Sequence, residues 1–171
     1  MAQVFLGIGS NIERERHLNA GLDALLKLFG EPALSSVYDS PAVGFDGQPF
    51  LNLVAQVHTS LSPGRLAAQL RQVEFDYGRP ANASRFSSRR LDIDILTYDD
   101  LIGEIEGVQL PRDEILYNAF VLRPLAELAP GAVHPERQCT YHRLWAEYPP
   151  QQQPIRRVDF SWHGRTISTR E

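Results

Sequence analysis

At 171 residues, 43% hydrophobic and 22% charged, the chain has the size and composition of one globular domain with a substantial core. A net charge of -4 and a pI near 5.7 provide no basic field for nucleic acid or an anionic membrane, and no apolar run is long enough to span a bilayer. The single Cys139 excludes an internal disulfide framework and a cysteine-based zinc site; with no signal region ahead of the first strand, a reduced, cytoplasmic setting is expected.

Val4 to Ile8 reads as a short buried strand that stops at Gly9-Ser10-Asn11. From about Glu13 to Leu28, the apolar residues Leu18, Leu22, Leu25 and Leu26 recur at helical spacing, and Gly30 with Pro32 supplies the stop. Ala33 to Tyr38 is predicted as a strand. Ser40 to Pro49 is too rich in proline and glycine for regular structure and predicts a long ordered loop, with Val43, Phe45 and Phe50 as a wall. Asn52 to Leu61 alternates as a strand with Leu53, Ala55 and Val57 on one side. Ser62-Pro63 opens a helix over Gly64 to about Phe75, with Leu66, Leu70 and Val73 as its stripe. Tyr77 to Arg90 has no periodicity and carries Arg79, Arg85, Arg89 and Arg90, so a mobile basic loop is expected.

The next stretch, Leu91-Asp92-Ile93-Asp94-Ile95-Leu96, reads as a core strand in which two carboxylates alternate with aliphatic residues. A period of two puts Asp92 and Asp94 on one face and Ile93 and Ile95 on the other. Paired ionised carboxylates on a half-buried strand repel each other and are costly to desolvate, so they call for a cation, most naturally Mg²⁺. The preceding basic run suggests a polyanion between metal and guanidinium groups, such as a nucleoside triphosphate. The bland alternative is a solvated acidic strand face.

The order strand, helix, strand, strand, helix, strand is the split βαβ arrangement of ferredoxin-like α+β folds. Gly107 to Pro111, a helical Phe120 to Ala129, a Pro-Gln linker at Pro149 to Pro154 and an edge strand at Val158 to Trp162 read as C-terminal additions. One domain over 1–171 is expected, with 149–171 peripheral. His17, His58, His134, His142 and His163 have no ligand spacing and read as structural or surface residues, and Phe5 reads as core.

Four features stand together in chain order: Gly9-Ser10-Asn11, Phe50-Leu51-Asn52, the charged helix end Glu74 to Arg79, and Arg89-Arg90-Leu91-Asp92-Ile93-Asp94-Ile95. With the segment Phe120-Val121-Leu122-Arg123-Pro124-Leu125-Ala126-Glu127-Leu128-Ala129-Pro130, this set resembles the 6-hydroxymethyl-7,8-dihydropterin pyrophosphokinase (HPPK) family. The resemblance implies transfer of the pyrophosphoryl group of ATP to the hydroxymethyl group of a dihydropterin, with release of AMP, in folate biosynthesis. It implies two Mg²⁺ ions held by Asp92 and Asp94, catalytic phosphate contacts from Arg79 and Arg89, and Glu74 and Arg112 at the nucleotide. It places Ser40, Pro41, Val43, Phe50, Asn52, Phe86 and Phe120 in the pterin pocket, and makes the protein a monomer whose partners are small molecules.

The chain also departs from that family's pattern. Phe86-Ser87-Ser88 stands in place of Trp-Gly-Pro, Arg112 in place of a histidine, Asn118 and Ala81 in place of arginines, and Gly107 and Gln109 in place of an arginine and a threonine. Two alternatives stay open beside a divergent enzyme: a silent pterin- or nucleotide-binding paralogue, and an unrelated ferredoxin-like interaction domain.

Overall fold

In a computed structural model that describes residues 1–77 and 91–171, the chain forms a main antiparallel sheet with helices on both faces. The first half contributes β1 (Ala2–Ser10), α1 (Arg14–Phe29), β2 (Ala33–Leu34), β3 (Val37–Ser40), β4 (Phe50–Thr59) and α2 (Pro63–Asp76). The second half contributes β5 (Asp92–Tyr98), β6 (Gly103–Ile105), β7 (Val108–Leu110), a 3-10 turn (Asp113–Leu116), α3 (Ala119–Leu128), α4 (Tyr141–Ala146), β8 (Arg156–Val158), β9 (Phe160–Trp162) and β10 (Arg165–Ser168). The sheet runs β5-β1-β4-β3-β8, with β2 also beside β4. The expected basic loop, and with it Arg79, Arg85, Phe86, Arg89 and Arg90, lies outside the described residues.

Alternation sorts the strand residues onto two cores. Val4, Leu6, Ile8, Leu53, Ala55, Val57, Ile93 and Ile95 pack with Leu18, Leu22 and Leu25 of α1 and Leu66, Leu70 and Val73 of α2. On the opposite face Phe5, Val54 and Leu96 pack against Val121, Leu122 and Leu125 of α3 and Tyr141 of α4. Ile93 and Ile95 each gain about 2 kcal/mol from burial, and a one-residue slip of β5 would send both aspartates into that core instead. Register is therefore fixed by the aliphatic face, and the carboxylates follow.

The expected strand over Ala33 to Tyr38 is broken into β2 and β3. The Ser35 hydroxyl accepts from the Val54 N–H (2.9 Å), while the Ser36 N–H and hydroxyl turn to Glu127 of α3. Glu127 also accepts from the Tyr38 hydroxyl at 2.7 Å, so one carboxylate takes the Ser36 N–H that a continuous strand would have paired and anchors the start of β3. The β6–β7 hairpin and α4, by contrast, had no clear periodic signature.

The C-terminal segment is not peripheral in its packing. β8 edges the main sheet by pairing with β3, as an edge strand was expected to do, but it ends at Val158. Asp159 interrupts the run, and β9 then pairs with β10 in a separate hairpin. Phe160 and Trp162 of β9 are buried in the α1–α2 core, and the Trp162 indole N–H donates to Asp23 of α1 at 2.9 Å. Trp162→Ala is accordingly expected to lower unfolding free energy by about 3–5 kcal/mol, read as a fall in the urea midpoint; an unchanged midpoint would return the hairpin to the periphery.

Burial pushes the Tyr141 phenol from 10.0 up to about 12. Its contribution to stability is then complete below about pH 10 and is lost as pH rises towards 12, because the unfolded chain releases that proton first. Tyr141→Phe should make the alkaline decline of stability shallower, and an identical slope in wild type and variant would contradict this.

Candidate active site

Three strand ends meet on the α3 side of the sheet. Gly9 of β1 lies opposite Asp92 of β5 on one side and Asn52 of β4 on the other, and Gly7 lies opposite Asp94. Opposed residues share a face, so the two β1 positions beside the carboxylates carry no side chain. The result is a cleft of about 110 Å³ floored by Gly7 and Gly9, with Asp92 and Asp94 along one side and Asn52 on the other.

Gly9 is held to glycine by its neighbour: a Cβ there would lie 2.6 Å from Asn52 Oδ1. Asn52 is itself buried, and its Nδ2 donates to the Ser40 hydroxyl at 2.7 Å. The wall beyond it is the loop over 41–49, tied down by Asn11 Nδ2 donating to Gln48 O (3.1 Å) and Arg14 donating to Pro49 O (3.3 Å) and Asp39 (3.0 Å). Phe45 and Phe50 meet edge to face at 6.3 Å within that wall. Opposite them stand Phe120 and Val121 from the first turn of α3.

The charges are concentrated along β5 and the 3-10 turn. Enclosure, with the Asp92 charge next in weight, pushes the Asp94 carboxyl well above the usual carboxylate range, and the Arg112 guanidinium only partly opposes this. Arg112 Nη2 lies 3.7 Å from Asp94 Oδ2, and Arg112 Nε donates to Glu114 Oε1. Like charges this close do not both ionise readily without a cation. Asp94 keeps 30% of its side-chain surface open to the cleft, so an ion arriving there can reach it.

Of the residues singled out from the sequence, the cleft brings together Ser40, Pro41, Val43, Phe50, Asn52, Asp92, Asp94, Arg112 and Phe120. Arg79, Phe86 and Arg89 lie outside the described residues. Glu74 does not line the cleft. It is buried beneath β5, where its Oε2 accepts from the Ile93 N–H at 2.7 Å, so it holds the strand from the core side. Sequence reasoning missed Glu114 as a cleft residue, and passed over Gly7 and Gly9 as a floor. The spacing Gly7-x-Gly9 inside a buried strand was the available signal, since glycine within a strand often marks close approach.

Fold and site together define an α+β protein with an acidic pair and a cation at one end of a concave, aromatic-walled cleft. The sequence model of the 7,8-dihydro-6-hydroxymethylpterin-pyrophosphokinase (HPPK) family matches residues 5–130. The chain belongs to this family. It is 33% identical over 153 residues to 2-amino-4-hydroxy-6-hydroxymethyldihydropteridine pyrophosphokinase of Aquifex aeolicus, covering 88% of this chain and 92% of that protein. The protein of the same name from Pseudomonas aeruginosa is 35% identical over 138 residues, covering 78% of this chain and 85% of the relative. Among solved structures, a triple mutant of Plasmodium falciparum HPPK-DHPS with pteroate superposes with a TM-score of 0.74 at 12% identity, over 98% of this chain and 48% of that longer one, a likeness of fold.

Gly9→Ala should push the Asn52 amide off Ser40 and cost about 1–3 kcal/mol. The checks are the denaturation midpoint and the Asn52 side-chain amide resonances in an ¹⁵N spectrum. If both stayed at their wild-type values, the close approach would not be a constraint.

Proposed function

We propose that this cleft transfers the pyrophosphoryl group of ATP to the hydroxymethyl group of 6-hydroxymethyl-7,8-dihydropterin, releasing AMP for folate biosynthesis, with two Mg²⁺ ions as the cations its aspartates require. The observation that carries the reading is the Asp92–Asp94 pair facing Gly9 and Gly7 in the cleft, with the Asp94 carboxyl pushed up by enclosure and then by the Asp92 charge. The donor chemistry fits magnesium: both ligands are hard carboxylate oxygens, and among the described residues no cluster of three His, Cys, Asp or Glu forms a closed cage. Mg²⁺ characteristically takes one or two carboxylates and completes its shell with water and phosphate oxygens. When bound, it supplies positive charge at the transferring phosphoryl group.

The chain's own residues divide the remaining work. Asp92 and Asp94 fix where the positive charge sits. Arg112, together with Arg79 and Arg89, presents guanidinium forks to the triphosphate and stabilises charge building on its oxygens as the bond to the leaving AMP breaks. Asn52, oriented by Ser40, offers an amide to the polar edge of a flat heterocycle, and Phe120, Phe50 and Phe86 offer ring faces against it. Pro41 and Val43 extend that wall as apolar lining. Glu74 serves the site from beneath by holding the backbone of β5.

The ferredoxin-like reading of the core is supported by the antiparallel order β5-β1-β4-β3, which is what a split βαβ pair produces. A cytoplasmic monomer with small-molecule partners completes the proposal; no helix among the described residues is long and apolar enough to cross a membrane.

The test is to incubate the protein with MgATP and the hydroxymethyl pterin and resolve the products by ³¹P NMR. AMP with a pterin diphosphate is expected. ADP with a pterin monophosphate would replace the reading with ordinary kinase chemistry, and pterin binding without turnover would identify a silent paralogue. Asp92→Ala and Asp94→Ala should each lower turnover by at least two orders of magnitude, since loss of one electrostatic contact at a reacting phosphate costs about 3 kcal/mol. The metal-free melting temperature of each variant should equal or exceed that of wild type. Near-normal turnover in either would mean that the metal site is elsewhere.

A further inference from the structure

Residues 131–171 lie beyond the span matched by the family's sequence model, yet one of them reaches the wall of the cleft. Gln153, in the segment read from sequence as a linker, makes two hydrogen bonds to the start of α3. Its Oε1 accepts from the Ala119 N–H at 2.8 Å, and its Nε2 donates to Asn118 Oδ1 at 2.9 Å. The Asn118 amide, thereby fixed in orientation, donates through Nδ2 to Glu114 Oε2 at 2.8 Å. Glu114 in turn accepts from Arg112 Nε through its other oxygen, and Arg112 lies 3.7 Å from Asp94. Arg112, Glu114, Asn118 and Asp94 all line the cleft.

Resting on the functional reading above, we propose that Gln153 is a positioning residue for the triphosphate end of the site, acting through Asn118 and Glu114 on the Arg112 guanidinium. The direction of each bond makes the relay specific. An amide has one donor end and one acceptor end, so a donor at Gln153 Nε2 forces Asn118 to turn its own donor to Glu114. That bond and the one from Arg112 occupy the two carboxylate oxygens separately, which sets the rotamer of Glu114 and with it the plane of the guanidinium. The segment itself is anchored close by: the Tyr148 hydroxyl donates to Tyr117 O at 2.9 Å, and Ile155 packs against the α3–α4 core. Arg112 and Asn118, which stand where the family pattern has a histidine and an arginine, are thus members of one network rather than two separate losses.

A plain helix cap would use only the bond to Ala119, and one substitution separates the two roles. Gln153→Glu keeps an oxygen for the Ala119 N–H but offers none of the donor that Asn118 Oδ1 needs. Asn118 then turns its amide donor to the new carboxylate and presents oxygen to Glu114. The expected result is a melting temperature lowered by only a few degrees, as for one lost hydrogen bond, with about a tenfold larger dissociation constant for a non-hydrolysable MgATP analogue, the scale typical of lost outer contacts around a charged site. KM for ATP should rise with it, while the dissociation constant for the pterin stays within twofold. In an Arg112→Ala background, Gln153→Glu should add nothing further, because the relay then ends on no cation. Wild-type nucleotide affinity in Gln153→Glu, or an effect that adds fully to that of Arg112→Ala, would overturn the proposal. Wild-type protein that binds no MgATP analogue would instead overturn the functional reading on which it rests.

Discussion

Everything in this structure turns on two like charges held on one face of a strand whose other face is core. Burial of Ile93 and Ile95 locks the register of β5, and the alternation of the strand then leaves Asp92 and Asp94 no other place. The pair is tolerable because β1 supplies glycine at both facing positions, opening a cleft in which an ion and its ligands have room. A side chain at Gly9 would close that space against Asn52. Core packing thus stabilises an arrangement that electrostatics alone would disfavour, which is the usual signature of a functional site.

Around this pair the remaining groups have complementary tasks. Arg112 partly neutralises Asp94 and is itself anchored by Glu114, so the cleft already contains a guanidinium positioned beside the carboxylates. On the opposite side the loop over 41–49 and the start of α3 form a wall with ring faces and an oriented amide, suited to a flat polar heterocycle. In the proposed reading, the charged end of the cleft takes phosphate and metal and the aromatic end takes the ring.

Much of this was legible in the sequence because it rests on local periodicity. The Asp92-x-Asp94 alternation, the stripes of α1 and α2, and the faces of β4 follow from side-chain direction alone, and the structure reproduces them. What escaped depends on contacts far apart in the chain. At the break between β2 and β3 the Ser36 N–H is taken by Glu127, some ninety residues away. Glu114 has no motif of its own and enters the site only because the 3-10 turn folds back beside β5. Only the family resemblance places Glu74 at the nucleotide, whereas in the fold its carboxylate lies under the strand and accepts from the Ile93 N–H. The C-terminal segment read as peripheral because its Pro-Gln composition resembles a linker, although Phe160 and Trp162 belong to the main core.

The central claim is that the Asp92–Asp94 pair is the cation site of a phosphoryl-transfer centre. Its most direct test is anomalous diffraction from crystals grown with Mn²⁺ in place of Mg²⁺, a non-hydrolysable ATP analogue and the hydroxymethyl pterin. The account predicts manganese peaks within coordination distance of the Asp92 and Asp94 carboxylates and of phosphate oxygens, with the pterin between Asn52 and Phe120. Manganese bound elsewhere, with both aspartates turned only towards protein groups, would contradict it.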